Sequence, residues 1–171
     1  MVEIRELRAD EIEVRVAHIK PPSADSKGGV QLLLYKDARC DMRILDETFG
    51  NNGWQRHHQI LGDTIYCTVS IWDGEQWIDK MDAGAESYTE KEKGAASDSF
   101  KRACTNVGIG RSLYTSPFIW VSDVDIQIKR DGKPYCKDKF RVHTYTVDDG
   151  KIVQLAIYRE RDNQIVYRYG L

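Results

Sequence analysis

The chain has 171 residues, 41% hydrophobic and 30% charged, with a formal net charge of −2 at pH 7. This composition is ordinary for a soluble globular protein, and the length suits one domain with its own core. No apolar run approaches the roughly 18–20 residues that span a bilayer, which argues against a membrane partner. The first residues contain no apolar signal core, so we expect a cytoplasmic protein.

The four cysteines are scattered and form no C-x-x-C pair; they are Cys40, Cys67, Cys104 and Cys136. In a cytosolic chain this spacing is typical of reduced packing residues. The sequence therefore predicts neither a disulfide framework nor a zinc site.

The charges are segregated along the chain, although their sum is nearly neutral. Residues 73–98 hold eight acids against three lysines, whereas residues 99–114 hold three cations and no acid. Residues 129–141 hold six cations and two acids. A basic surface can therefore exist on this slightly acidic protein, and a polyanion responds to the surface potential.

The first half of the chain predicts a strand, a loop, a short apolar segment and a helix. Residues 11–19 alternate apolar and polar side chains, as a half-buried strand does, and residues 20–29 form a Pro/Ser/Gly loop. "VQLLLY" is either a strand or the lead-in to a helix. The helix follows in "KDARCDMRILDETFG", with a C-terminal cap at Gly50 and one apolar face made of Ala38, Met42, Leu45 and Phe49.

Three β segments and a second helix come next. The β segments are "WQRHHQIL", "TIYCTVSIWDG" and "EQWIDKMDAGAES", joined by hairpin turns at "GD" and "DGE". Ser87 with Glu90, and Thr89 with Glu92, both match a capping box at the start of the second helix. The predicted apolar face of that helix contains Ala96, Phe100, Ala103, Cys104 and Val107.

The last third is predicted to be rich in β structure. Residues 118–128 return to β alternation, residues 129–139 form a basic loop, and residues 140–170 read as a three-stranded meander. The pair of glycines in "GIG" follows the second helix instead of preceding it, and a Walker triplet GK[S/T] is absent from the sequence. Anion-binding glycine loops lie at helix N-termini, so we expect a C-terminal cap that turns Arg111 back over the helix, and no nucleotide cofactor.

Three motifs occur in order at consistent spacing: "FGNNGW" (49–54), "DAGAES" (82–87) and "EKGAASDSFKRA" (92–103). Together they resemble the Rad-fifty-two type of single-strand annealing protein, which includes a eukaryotic recombination protein and phage recombinases of the Sak group. The resemblance covers about residues 35–114.

The resemblance implies an α+β fold. Its β-β-β-α core is an antiparallel sheet packed on a long helix, with an N-terminal strand and helix and a β-rich C-terminal meander. It also implies a homo-oligomeric ring or filament that holds single-stranded DNA in a groove with its bases exposed. Residues 1–120 would form the annealing and oligomerisation domain, and residues 121–171 a β-rich extension packed on or continuing it.

The family's DNA-binding cations carry over to Lys101 and Arg102 on the long helix, to Lys93 eight residues earlier, and to Arg15 in the first strand. The eukaryotic member has a further arginine where this chain has Thr105. Either Arg111 or the 129–141 cluster substitutes for it, or that contact is absent. The cluster is either a solvated hairpin tip or a second DNA contact, made by Lys129, Arg130, Lys133 and Lys137.

The function expected is therefore ATP-independent annealing of complementary single strands in recombination and repair, without a catalytic site. Lysine and arginine suit this task because they neutralise phosphates without reading or hiding the bases. By analogy, a phage exonuclease or a single-strand-binding protein is an expected partner. The alternatives are a metal-dependent nuclease and a double-stranded RNA-binding module.

A metal site is the rival interpretation of His57, His58 and Asp63, or of Asp79 and Asp82. Adjacent residues on a strand point to opposite faces, so His57 and His58 cannot bind one metal ion from regular β geometry. Asp79 and Asp82 are separated by an odd number of positions, so on a strand they also point to opposite faces. A polar strand edge and a solvated acidic hairpin explain these residues better.

Overall fold

The computed structural model describes residues 3–85 and 91–170, with the backbone alone at residues 91–93. The chain divides into two compact units whose segments alternate along the sequence. Unit 1 comprises Met1–Glu6 and Lys36–Arg111, and unit 2 comprises Leu7–Tyr35 and Ser112–Leu171. The expected division into an annealing domain of residues 1–120 and a β-rich extension of residues 121–171 stays a prediction. In the described ranges, no helix is both long and apolar enough to cross a bilayer.

The described residues form eleven strands and two α-helices. In chain order these elements are β1 (Glu13–Lys20), β2 (Gly29–Tyr35), α1 (Ala38–Phe49), β3 (Trp54–Leu61), β4 (Thr64–Trp72), β5 (Trp77–Ala83), α2 (Lys91–Val107), β6 (Ile119–Val121), β7 (Ile126–Ile128), β8 (Pro134–Cys136), β9 (Phe140–Asp148), β10 (Lys151–Arg159) and β11 (Gln164–Tyr169). Short 3₁₀ turns occur at Ala9–Glu11 and Arg111–Thr115.

The sheet of unit 1 is a three-stranded antiparallel meander in the order β3–β4–β5. Its hairpins lie where the turn residues predicted them, and Gly62 supplies the positive φ of 62° that the β3–β4 turn requires. Apolar side chains of β4 at alternate positions, Cys67 and Val69, are fully buried. The three predicted β segments are confirmed.

Helix α1 lies within the predicted segment and ends at Gly50 as the sequence predicts, but it buries a different face. The Asp37 carboxylate accepts a hydrogen bond from the Cys40 backbone N–H at 2.7 Å, and Gly50 closes the helix with a φ of 74°. The buried residues are Cys40, Asp41, Ile44 and Leu45. The predicted face through Ala38, Met42, Leu45 and Phe49 is therefore wrong by about one position, because an aspartate occupies the core side.

Helix α2 packs on β4 and β5 through Ala95, Ser99, Phe100, Ala103 and Cys104, all buried. The predicted face is thus confirmed at its centre, while Ala96 and Val107 are only half-buried. Gly84, just after β5, permits this close approach: a Cβ atom there would lie 2.0 Å from the Ala95 carbonyl oxygen. Both predicted capping boxes lie outside the described residues.

Trp54 connects the sheet of unit 1 to both helices. Its indole N–H donates a hydrogen bond to Asp46 Oδ1 on α1 at 2.7 Å. Its ring stacks on Phe100 of α2 with 6.2 Å between ring centroids. The Arg56 guanidinium lies 4.8 Å from the centroid of the Phe100 ring, which adds a cation–π contact.

Unit 2 contains a six-stranded antiparallel sheet in the order β11–β10–β9–β1–β2–β6. The meander of β9, β10 and β11 is the one predicted from the sequence, and "VQLLLY" is strand β2. The sheet has two three-stranded halves, joined where β1 meets β9 through a single residue pair, Glu13 and Arg141. A cavity of about 500 Å³ adjoins this junction, lined in part by Val16, Tyr35 and Phe140.

The basic segment is a hairpin and not a plain loop. Strands β7 and β8 pair across residues 129–133, where the Lys129 N–H donates to the Lys133 carbonyl oxygen at 2.9 Å. Gly132 at the tip has a φ of 82°. The β alternation predicted over 118–128 is interrupted, since β6 and β7 are separate three-residue strands in different sheets. The fold is mixed α and β, with two α-helices and antiparallel strands in the described residues.

Candidate nucleic-acid interface

Lys101 and Arg102 lie on the last two turns of α2, between its buried residues Phe100 and Ala103. Arg102 is exposed and Lys101 is half-buried. The Arg102 Nε donates to Asp82 Oδ1 of β5 at 3.2 Å, with 48% and 24% of the two side chains exposed. An ion pair exposed to this extent contributes only about 0–1 kcal/mol. A phosphate can therefore compete with Asp82 for Arg102 at small cost to this ion pair.

Asn106 extends this contact by one turn. Its side-chain amide donates to the Met81 carbonyl oxygen at 3.1 Å and to Asp82 Oδ2 at 3.2 Å. Asp82 is thus held by two side chains of α2, and release of Arg102 would leave Asp82 with the amide. The helix and the edge strand β5 stay joined when Arg102 moves.

Arg111 caps the C-terminus of α2, as the sequence predicts. Its Nε donates to the Thr105 carbonyl oxygen at 2.9 Å and its Nη2 to the Asn106 carbonyl oxygen at 2.7 Å. Gly108 and Gly110 make the reversal with φ values of 135° and 68°. A cation at this end complements the helix dipole. Arg111 remains exposed, and its contact with DNA stays a prediction.

Two other predicted cations are placed less completely. Lys93 belongs to α2, but its side chain lies outside the described residues. Arg15 is exposed on β1 in unit 2, with its guanidinium 5.8 Å from the centroid of the Tyr35 ring. The structure therefore groups Lys101, Arg102 and Arg111 in unit 1 and places Arg15 in unit 2.

A buried ion pair under α2 was missed by the sequence analysis. The Lys36 ammonium donates to Asp41 Oδ1, and both side chains are almost completely buried. The same ammonium donates to the Lys101 carbonyl oxygen at 3.2 Å. Lys36 thereby connects α1 to the turn of α2 that carries Lys101 and Arg102. No sequence signal marks the pair, because two charged residues five apart are normally solvated.

Burial makes the charged form of the Asp41 carboxylate unfavourable. Desolvation raises the pKa of its carboxyl group from 3.8 to about 6, although the Lys36 charge and, more weakly, the Lys101 charge act to lower it. Its second oxygen, Oδ2, is buried without a hydrogen-bond partner. The pair is therefore ionised at neutral pH at an energetic cost.

The four cations predicted as a second contact lie on the β7–β8 hairpin and just after it, and all are exposed: Lys129, Arg130, Lys133 and Lys137. Asp138, one of the two acids counted against them, is buried and accepts from Arg161 Nε at 3.2 Å. Asp131 lies 3.8 Å from Lys133 across the exposed tip. The surface of this segment is thus more basic than the sequence count indicates.

The residues of the rival metal site point apart. His57 is exposed, whereas His58 faces α2 and its Nε2 lies 3.1 Å from the Ala96 carbonyl oxygen. Among the described residues, no three His, Cys, Asp or Glu side chains come close enough to hold a metal ion. The four cysteines are free thiols. Burial raises the pKa of the Cys67 thiol to about 11, and that of Cys104 still higher.

The chain is similar in sequence to a described protein family. The family described as "Rad52/22 family double-strand break repair protein" matches residues 11–130. The match includes β1 and extends beyond the motifs of residues 49–103. The chain therefore belongs to the Rad52/22 family.

One curated relative is the mitochondrial genome maintenance protein MGM101 of Eremothecium gossypii. It is 29% identical over 152 residues, which are 80% of this chain and 52% of the relative. The chain thus spans about half the length of that protein. No solved structure matches the chain.

Proposed function

We propose that this protein is an ATP-independent annealing protein that binds single-stranded DNA by its phosphates and pairs it with a complementary strand in recombination and repair. The observation that carries the proposal is the turn of α2 where two adjacent cations reach the surface, half-buried Lys101 and exposed Arg102, with Arg102 in a largely exposed ion pair with Asp82. Family membership and the relative's role in genome maintenance support the same class of function.

The chemistry of the turn suits this task. Cations on a helix bind the backbone without distinguishing bases, so the base edges stay free for pairing. Release of condensed counterions supplies much of the affinity, which makes binding steeply dependent on salt. The Lys36 ammonium stabilises the turn by donating a hydrogen bond to the Lys101 carbonyl oxygen.

Assembly is part of the proposal. One turn of helix neutralises few phosphates, so useful affinity requires several protomers on one strand. Trp72 and Trp77 pack edge to face at the β4–β5 hairpin, 5.5 Å apart, and remain 41% and 43% exposed. Exposed tryptophans on a hairpin are suited to a subunit interface, and we propose a homo-oligomeric ring or filament.

The basic hairpin around residues 129–137 is proposed as the site that attracts the second strand. Its cations are exposed on both sides of the tip, so their attraction acts over a distance and raises the rate of encounter. An exonuclease or a single-strand-binding protein as partner, and a cytoplasmic location, remain predictions. The relative's name refers to mitochondria.

The test is an annealing assay with a labelled oligonucleotide and its complement, in EDTA and in magnesium. We expect the protein to accelerate pairing equally in both, and to run as a multimer in gel filtration. Absence of acceleration at saturating protein would refute the proposal. Cleavage that requires magnesium would support a nuclease instead.

A further inference from the structure

The exposed face of the β1–β2–β6 half of the unit 2 sheet carries an apolar and cationic row. Arg15 of β1 pairs with Leu33 of β2, and Leu32 pairs with Ile119 of β6. Continuing that register by one residue sets Phe118 beside Leu33. Arg15, Leu33 and Phe118 are all exposed, whereas Leu32 and Ile119 face the core. The row therefore lies on one face of the sheet.

Phe118 is exposed yet held in position. It is 68% exposed, and its ring lies parallel to that of Trp120, with 6.4 Å between centroids and 7° between planes. Trp120 is seated against Gly29, where a Cβ atom would lie 2.7 Å from the indole. The Tyr167 hydroxyl donates to the Phe118 carbonyl oxygen at 3.2 Å. An exposed ring with this much support loses little conformational freedom when a ligand stacks on it.

The chemistry of the row fits an unpaired nucleotide. A nucleotide has a flat aromatic base and an anionic phosphate joined through a sugar, and the row offers an aromatic ring and a cation two strands away. Two interstrand spacings amount to about 10 Å between backbones. Aromatic platforms beside cationic residues are how proteins bind single strands without reading sequence. A row of three side chains is small for a contact with a second protein copy, which needs about 800 Å² per partner.

We propose that Phe118 stacks on an unpaired base while Arg15 contacts a phosphate of the same strand, so that this sheet face selects single-stranded over paired DNA. Cations alone cannot make that choice, because a duplex also presents phosphates. A paired base is stacked within its helix and cannot cover Phe118. The base keeps its pairing edge free, since only its flat face is covered. This inference rests on the proposed function and assigns it a source of strand selectivity.

The experiment compares wild-type protein with Phe118→Leu, which keeps an apolar side chain but removes the ring. The matched control is Tyr169→Leu, another exposed aromatic of unit 2. Affinity is measured for a single-stranded oligonucleotide, for the same strand carrying abasic positions, and for its duplex. We expect Phe118→Leu to lose about tenfold on the intact single strand, in line with the value of one base stack. The duplex and the abasic strand should show no loss, Tyr169→Leu should match wild type, and Phe118→Trp should retain binding.

Each other outcome overturns the inference. An equal loss on intact and abasic strands would show that Phe118 supports structure and not stacking. An altered sedimentation coefficient with unchanged DNA affinity would make the face a contact between copies. Identical binding by wild type and Phe118→Leu would refute stacking while leaving the proposed function intact. Failure of the wild-type protein to bind any single strand would refute both.

Discussion

Removal of Lys36 is the perturbation with the largest expected effect on stability. Lys36→Met would remove the counter-charge of the buried Asp41 carboxylate. The Oδ2 atom of this carboxylate already lacks a hydrogen-bond partner. Breaking a buried ion pair from one side typically costs about 3–5 kcal/mol. In a chain of this size that corresponds to a fall in Tm of roughly 6–20 °C.

The double variant Lys36→Met/Asp41→Leu separates charge from packing. Apolar residues that replace both members of a buried pair are often neutral or stabilising by about 1–4 kcal/mol. We therefore expect the double variant to regain at least the stability of the wild type. Urea unfolding monitored by circular dichroism measures the coupling free energy of the two residues in a double-mutant cycle. Measurement at two protein concentrations separates this coupling from any contribution of assembly.

The pH dependence has a definite sign. Because burial raises the pKa of Asp41 from 3.8 to about 6, the folded state binds its proton more tightly than the unfolded state does. The resulting stabilisation is fully present below about pH 4 and is lost as the pH rises through 6, by about 3 kcal/mol in all. Asp41→Leu in the double variant removes this component of the slope.

The cost of Lys36→Met should accordingly be largest at pH 7 and shrink at pH 5, where a protonated Asp41 needs no counter-charge. A cost below about 1 kcal/mol at pH 7 would refute the buried-pair argument. So would a double variant no more stable than the single one.

Three further predictions concern DNA and packing. Lys101→Ala and Arg102→Ala should each weaken single-stranded DNA binding equally on all sequences, and each should reduce the dependence of log affinity on log salt by about 0.7. Lys151→Ala is the exposed control. Losses that depend on sequence would contradict backbone binding. Replacement of four hairpin cations by Gln should slow annealing, more so at low salt, and leave first-strand affinity nearly intact; unchanged rates would make the hairpin a solvated tip. The four are Lys129, Arg130, Lys133 and Lys137. Gly84→Ala should destabilise unit 1 by more than about 1 kcal/mol in urea unfolding, because its Cβ would meet the Ala95 carbonyl; unchanged stability would show that β5 and α2 can separate freely.

The elements of unit 1 could be predicted from the sequence because alternation, turn residues and caps are local signals. The meander of β3, β4 and β5 and the reversal through Gly108 and Gly110 followed from them. The buried face of α1 could not, because any pattern of apolarity assigns Asp41 to solvent. Its burial depends on Lys36, which becomes its partner only in three dimensions.

The candidate site was predicted in part for the same reason. The polar face of α2 identified Lys101 and Arg102, and the helix end identified Arg111, because both follow from helical periodicity. Asp82 as partner of Arg102 required the packing of β5 on α2. The role proposed for Phe118 could not be predicted from the sequence, because its neighbour Leu33 lies 85 positions away. The two are brought together by a strand pairing that no local signal encodes.

The junction of β1 and β9 has a consequence for how unit 2 opens. Beyond Glu13 and Arg141 the two strands do not pair, so the remaining backbone amides on these facing edges lack ladder partners across the junction. A sheet crossed by one residue pair has a seam, and an open cavity lined in part by Tyr35 and Phe140 adjoins it. Cooperative opening units tend to follow such boundaries. In hydrogen exchange, β1–β2–β6 and β9–β10–β11 should therefore behave as two separately protected blocks, although in sequence the first of them is itself divided by the Lys36–Arg111 segment of unit 1.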